Sequence, residues 1–317
     1  MCLNGISSGI KEVPIGVPQG STLGPVLFAI YLNDFFKCHK LYSINYADDS
    51  SILHSQKNCL HTSIINKNLK SIYTWLCANK LKLNSEKSKF MIFSNKKNII
   101  HEKIVLGNKE IEKIESMKLL GLWLDSKLTF AKHTKKLSSK LSFVSYIISK
   151  FSNLPKKILR KIYFSYAHST LVYGIQLYGQ SHNVHLKSIE RIQKNLVKKI
   201  SKNSDKYKAF IDNKILNFKL LKEFSLACYT HNILNNNNSP NLIKNLIKSN
   251  QNRVRRNRQE FKLYKPKINV TIMKRAFSYA AAELWNELPI FKNVCSKKVF
   301  RKEAKNYFLN KLCTYGS

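Results

Sequence analysis

Two adjacent carboxylates, Asp48 and Asp49, lie in the run INYADDSSIL at residues 44–53, between short stretches that read as strands. The chain carries 18 acidic residues against 55 basic ones, so two neighbouring acids stand out. Carboxylate oxygens are hard donors that suit Mg²⁺. Two such ions about 3.5–4 Å apart serve many phosphoryl and nucleotidyl transfers. One polarises the attacking hydroxyl and the other stabilises the leaving pyrophosphate. Aspartate is also an ordinary turn residue, so the meaning of the pair rests on its surroundings.

The element that must position the pair is a hairpin with Asp48–Asp49 at its tip. Upstream, VPQGSTLGPVLFAIYLND opens as a Pro/Gly turn and continues as a helix. Ser21 or Thr22 can cap that helix, because a hydroxyl oxygen accepts a free first-turn N–H. Pro25 falls in the first turn, where its missing N–H costs nothing, and Leu23, Val26, Leu27 and Ile30 share one face. Downstream, residues 60–83 read as a helix and KFMIF as a strand. IVLGNKEIEKI reads as a hairpin turning at Gly107–Asn108, and KLLGLWLD as a further strand. From about residue 130 the pattern becomes helical, in HTKKLSSKLSFVSYIISKF, PKKILRKIYFSYAHSTLVYG and HLKSIERIQKNLVKKI, punctuated by Pro155 and Gly174. The Asn-rich tract at 235–241 is the best linker candidate. A basic run, RVRRNRQEFKLYKPK, and a helical stretch containing AAAELWNELP follow, and no repeat of fixed period is found.

A chain of 317 residues with 44% hydrophobic content is long and apolar enough for about two domains with a buried core. Its net charge of +37 attracts polyanions, nucleic acid first and an anionic membrane surface second. Only eight of the basic residues are Arg, and Lys, Asn and Ile are abundant together. An A/T-rich coding bias therefore accounts for part of the excess. The seven cysteines are scattered without a CxxC pair, which argues against a disulfide framework or a zinc site and for a reducing compartment. No signal peptide is read at the N-terminus. The longest apolar run, VLFAIYL, is far short of a membrane span. The expectation is an intracellular protein, nuclear or cytoplasmic, with no membrane partner and an oligomeric state that the sequence leaves open.

VPQGSTLGPVLFAIYLND, YADD, LKLNSEKSKFMIF and LLGLWLDSKLTF occur in one fixed order, with Tyr46 26 residues after Gly20. In that order the chain resembles the reverse transcriptases of non-LTR retrotransposons of the LINE-like, jockey type. The resemblance continues through LVYGIQLYG, SIERIQKNLVKKI and AELWNELP, nearly to the end of the chain. It implies an α+β fold: a partial right-hand polymerase palm, an antiparallel sheet with helices, over 1–128. A helical thumb over 129–200 and a basic helical C-terminal region over 201–317 follow. It implies RNA-directed DNA synthesis with Mg²⁺ or Mn²⁺, an RNA template with a DNA primer or an RNA–DNA hybrid, and dNTP.

Within the resemblance, Asp48 is a metal ligand and Asp49 supports the metal site. Tyr46 and Ala47 lie beneath the primer end and incoming nucleotide. Pro18, Gln19 and Gly20 form the loop lining nucleotide and template. Lys87 matches a lysine suited to protonating the leaving pyrophosphate, although a solvated lysine is the blander reading. Leu120, Gly121 and Leu122 match the hairpin that grips the primer, and Leu120, Leu122 and Leu124 can also pack inward. Trp285 and Leu288 read as core.

The family's metal site has a third aspartate, from a strand upstream of the Pro-Gln-Gly loop. Here the sole acid before Pro18 is Glu12, in a segment that does not resemble that motif. Asp34 and Asp125 belong to other elements. Positioning and charge neutralisation supply most of the catalysis in such sites. The expectation is therefore an N-terminally truncated polymerase that does not extend a primer alone, whose sheet lacks a central strand and exposes an edge. Two other readings compete: a retroelement-derived RNA- or DNA-binding protein without catalysis, and an unrelated basic binding module. The last explains none of the ordered motifs.

Overall fold

A computed structural model describes residues 2–3, 6–7, 16–17, 20–56, 62–94, 103–201, 206–236, 239–247, 262–267, 271–289 and 294–314. The chain divides into two compact units, residues 1–114 and 115–317.

The first unit is built from short paired strands and two helices. Strands β1 (Cys2–Leu3) and β2 (Ile6–Ser7) pair with each other. Helix α1 (Gly24–Tyr31) runs into a 3₁₀ turn at Asn33–Lys37 and then into β3 (Tyr42–Tyr46) and β4 (Asp49–Leu53). Helix α2 (Thr62–Ala78) is followed by β5 (Lys89–Phe90), β6 (Val105–Leu106), β7 (Lys109–Glu110) and β8 (Glu112–Lys113). The small core gathers Phe35, Leu69, Ile72, Ile104 and Leu106, with Phe35 edge-on to Trp75 at 5.5 Å between ring centroids. α2 supplies much of it because Ile65, Leu69, Ile72 and Leu76 recur at helical spacing.

Two expectations, the extent of the helix over 60–83 and the antiparallel sheet, are corrected here. The helix expected over 60–83 stops at Ala78. Lys80 adopts a left-handed φ of 54° and the Leu81 N–H donates back to the Leu76 carbonyl at 2.9 Å, a closure that ends helices. The face that Leu23, Val26, Leu27 and Ile30 share on α1 lies open, at 67, 56, 49 and 67% exposed. In place of an antiparallel sheet, the described strands form separate two-stranded pairs, and β5 with β8 is parallel. Strands of two to five residues make few ladder bonds, and none of those described gains a second partner. The hairpin expected at Gly107–Asn108 is present, with Leu106 opposite Lys109. Gly107 has a φ of +64°, and a Cβ there would lie 2.6 Å from the Tyr73 ring, so glycine is required twice over.

The second unit begins with a hairpin, β9 (Ser116–Leu119) and β10 (Leu122–Asp125), and is otherwise helical. KLLGLWLD is thus two strands rather than one, reversing at Leu120–Gly121, where φ is 44° and 86°. Two positive φ values in succession are what a tight two-residue hairpin turn demands. Next come α3 (Ala131–Lys150) and α4 (Lys156–Ile162), continuing through a π turn at Tyr163–His168 into α5 (Ser169–Val172). Helices α6 (Ile175–Tyr178), α7 (Asn183–Ser201), α8 (Lys206–Asp212), α9 (Phe218–Asn235) and α10 (Asn241–Leu246) follow. After a 3₁₀ turn at Thr271–Arg275, α11 (Phe277–Glu287) and α12 (Lys297–Thr314) complete the unit.

α3 lies along α7, with Leu137, Leu141, Val144 and Ile148 against a core shared with Ile189, Leu196 and Val197. The Ser138 and Ser188 hydroxyls hydrogen-bond across that seam at 2.6 Å. α9 carries buried apolar residues on nearly all sides and packs against α6, α11 and α12. Trp285 and Leu288 are core, as the sequence suggested, at 2% and 4% exposed. Among the described residues no helix is long and apolar enough to cross a membrane.

Candidate functional site

In the first unit the Asp48–Asp49 pair occupies the tip of the β3–β4 hairpin, where the sequence placed it. The strands are antiparallel, with Tyr46 opposite Asp49 and the reversal made by Ala47 and Asp48 alone. Ala47 takes the left-handed φ of 52° that the turn demands. A non-glycine residue there stores about 1–2 kcal/mol, so the bend is fixed by the pairing on either side. Both aspartates are exposed. Alternation puts Tyr42, Ile44 and Tyr46 on one solvent-facing side, 46, 48 and 65% exposed, and Asp49 shares that side through its pairing with Tyr46. On the opposite side Ile52 packs on the small core. The Asn45 amide is buried there with no hydrogen-bond partner among the described residues.

Pro18 and Gln19 lie outside the described residues. Gly20 has a φ of +86°, with nothing within 4 Å of a Cβ built on it, so its side is open space. The residue at the N-cap of α1 is Leu23, which has no side-chain cap, and the Ser21 Oγ just before it accepts the Gly24 N–H at 3.0 Å. The far end of α1 is tied to α2 by the Tyr31 hydroxyl, which donates to the Asn79 carbonyl. Lys87 stands in a turn at residues 85–87 before β5, its backbone N–H held by Asn84 Oδ1 at 3.1 Å and its side chain exposed.

In the second unit, Leu120 and Gly121 form the tip of the β9–β10 hairpin, and Leu120 is 42% exposed rather than packed inward. Leu124 does pack on the core. The tip is fixed from behind: the Tyr173 hydroxyl donates to the Leu120 carbonyl, and Leu122 lies against Gly174. Asp125 has a structural task. Its carboxylate accepts the Thr129 N–H at 2.9 Å and the Phe130 N–H at 2.7 Å, capping the entry to α3. Asp34 pairs with Lys37 at 3.6 Å on the surface.

One arrangement went unread in the sequence. The Lys132 and Lys136 ammoniums lie 3.8 and 3.9 Å from the centroid of the Trp123 ring. Lys118 faces Trp123 across the hairpin, and Lys132 also donates to Ser116 Oγ at 3.0 Å. The i, i+4 spacing of the two lysines was the available signal. Nothing local linked them to a strand residue nine and thirteen positions away. Near them His133, buried and close to Lys140, has its pKa pushed down by burial first and by that lysine second. Its Nδ1 accepts from the Trp123 backbone N–H at 3.5 Å.

Carboxylates at an exposed tip have the right donor chemistry for a divalent cation. Their number is short: among the described residues no three His, Cys, Asp or Glu side chains group so as to hold a metal. Glu12 lies outside the described residues.

Residues 3–124 match the family of reverse transcriptases (RNA-dependent DNA polymerases). This stretch, which contains the Asp48–Asp49 hairpin, is thus similar to a reverse transcriptase domain. Its relatives are polymerases of mobile elements. The chain is 29% identical over 212 residues to the RNA-directed DNA polymerase from mobile element jockey of Drosophila melanogaster, covering 63% of this chain and 23% of that protein. It is 28% identical over 201 residues to the probable RNA-directed DNA polymerase from transposon X-element of the same organism, covering 60% and 22%. The corresponding protein of transposon BS is 25% identical over 201 residues, covering 59% and 22%. The chain thus spans less than a quarter of the length of the curated relatives it matches. No solved structure matches it.

Proposed function

We propose that this chain is the palm and thumb portion of a non-LTR retrotransposon reverse transcriptase. Its business is RNA-directed DNA synthesis on an RNA template with a DNA primer and dNTP. The observation that carries the reading is the exposed aspartate pair at a two-residue hairpin turn, inside the stretch that matches the reverse transcriptases. The palm is assigned to 1–128, the thumb to 129–200 and a basic C-terminal region to 201–317.

Asp48 and Asp49 are the residues that would hold Mg²⁺ or Mn²⁺, and a bound ion would supply charge neutralisation at the transferred phosphate. The two acids do not complete such a site, so no reaction step is assigned to them here. Tyr46 and Ala47 present the surface beside the pair, and Gly20 leaves the approach to helix α1 open. Leu120, Gly121 and Leu122 are assigned to the primer strand and Lys87 to the leaving pyrophosphate. The net charge of +37 holds the template and primer through their phosphates.

The test is extension of oligo(dT) on poly(rA) by the 317-residue polypeptide with Mg²⁺ or Mn²⁺. The expected result is salt-dependent binding of the template and primer without extension. Asp48→Asn leaves that binding unchanged, because phosphate contacts rather than the aspartates carry it. Robust extension abolished by Asp48→Ala would show that a third ligand is present and that the incompetence assigned to this polypeptide is wrong. A failure to bind template and primer at all would overturn the nucleic-acid reading. A retroelement-derived binding protein without catalysis is the second reading, favoured by the incomplete set of metal donors.

A further inference from the structure

The exposed side of α3 carries an unusual combination. Lys132, Lys136, Phe143, Tyr146 and Lys150 succeed one another at intervals of four, seven, three and four residues, which places them on one helical stripe. The buried positions Leu137, Leu141, Val144 and Ile148 occupy the other side. Phe143 is 64% and Tyr146 60% exposed, among the most exposed large side chains of the unit. The helix has five lysines and no carboxylate in its twenty residues. At its N-terminal end the stripe continues onto Trp123, whose ring already carries the Lys132 and Lys136 ammoniums.

We infer that this stripe is a binding track for single-stranded nucleic acid. The lysines mark a polyanion as the occupant, since a helix face with lysines at both ends and no carboxylate offers a second copy of itself no opposite charge. The two rings select the form of that polyanion. Inside a duplex the base faces are stacked on one another and have nothing to offer Phe143 or Tyr146. An unpaired strand presents every base face to an aromatic platform while its phosphates follow the lysines. From Lys132 to Lys150 the stripe is about 27 Å long at 1.5 Å per residue, enough for a site of about four nucleotides. Trp123, held under two ammoniums, orients the lysines at the entrance and does not stack. The track goes beyond the polymerase reading and needs neither Asp48 nor a metal ion.

The test is fluorescence anisotropy of the full chain, with every comparison made at matched salt and the titrations repeated over a series of salt concentrations. The probes are an end-labelled 16-nucleotide oligo(U) and a labelled RNA–DNA hybrid of the same length. Phe143→Ala with Tyr146→Ala is expected to weaken oligo(U) binding by about tenfold per ring and hybrid binding by less than about twofold. Lys132→Gln with Lys136→Gln flattens the salt dependence for both probes, since each lysine releases counterions from either. Both rings are exposed, so an unchanged melting midpoint is expected of the double alanine variant. Should it melt early, Phe143→Leu with Tyr146→Leu keeps the aliphatic bulk and is expected to give the same selective loss. Unchanged oligo(U) binding, or equal losses on the two probes, would overturn the inference. So would light scattering that shows a dimer becoming a monomer in the variant, because a second copy would then be the occupant.

Discussion

Replacing Gly174 by alanine tests how the β9–β10 hairpin is seated. The residue has a φ of +68°, and a Cβ built on it would lie 2.6 Å from Leu122 Cδ2, 2.8 Å from Cδ1 and 3.2 Å from Cγ. Two costs arise. Holding alanine in the left-handed region costs about 1–2 kcal/mol. Displacing the Leu122 side chain from a packed position costs about a further 1–3 kcal/mol. Gly174→Ala should therefore lower the stability of the second unit by about 2–5 kcal/mol, read as a shift of the urea midpoint at constant slope. The second cost exists only while Leu122 is present. In a double-mutant cycle, Leu122→Ala removes the obstruction, so the double variant should be more stable than the sum of the single losses predicts, by about 1–3 kcal/mol. Additive losses would refute the reasoning, since they would mean that Leu122 does not occupy the space over Gly174.

Asn217 caps α9, its Oδ1 accepting the Leu220 N–H at 2.9 Å, so Asn217→Ala should cost about 1 kcal/mol in the urea midpoint. Gln193 is fully buried and its Nε2 donates to the Tyr163 hydroxyl at 2.9 Å and the Leu216 carbonyl at 3.1 Å. Gln193→Leu should cost about 1–3 kcal/mol, because the carbonyl is stranded without a donor, and an unchanged midpoint would count against the bond. His133 and His168 both have lowered pKa values, His133 from burial and then Lys140, His168 from burial and then Lys305 and Arg301. The unfolded chain then binds protons that the native state refuses, so stability is full above about pH 6.5 and falls below it, by at most about 1.4 kcal/mol per pH unit per histidine until the native values are reached. Urea midpoints at pH 7.5 and 5.5 measure the loss, and His133→Gln should remove its share.

Where local chemistry decides structure, the sequence was legible. Gly107–Asn108 announces its turn. Leu137, Leu141, Val144 and Ile148 announce the buried stripe of α3, and Pro155 and Gly174 mark helix boundaries in the places observed. The aspartate pair was found because two acids between strand-like runs have few alternatives to a tip. Distance along the chain defeated the rest. Nothing in Lys89–Phe90 foretells a parallel partner at Glu112–Lys113. The reversal at Leu120–Gly121 was legible only through the family resemblance, because leucine is by itself a poor candidate for a positive φ. α9 is apolar on nearly every side, so it lacks the amphipathic rhythm that betrays a surface helix. The exposed face of α1 shows the converse, a helical rhythm that predicts a shared face without saying that anything covers it.

The clamp that Asp125 makes on the Thr129 and Phe130 amides has a mechanical corollary. With both carboxylate oxygens taken and Leu128 and Phe130 locked at φ of 51° and 55°, the link between strand and helix has no slack to absorb rotation. Hairpin and helix are consequently joined as one stiff piece. A shift of the Leu120–Gly121 tip, such as Gly174→Ala would impose, should therefore be felt in the first turn of α3.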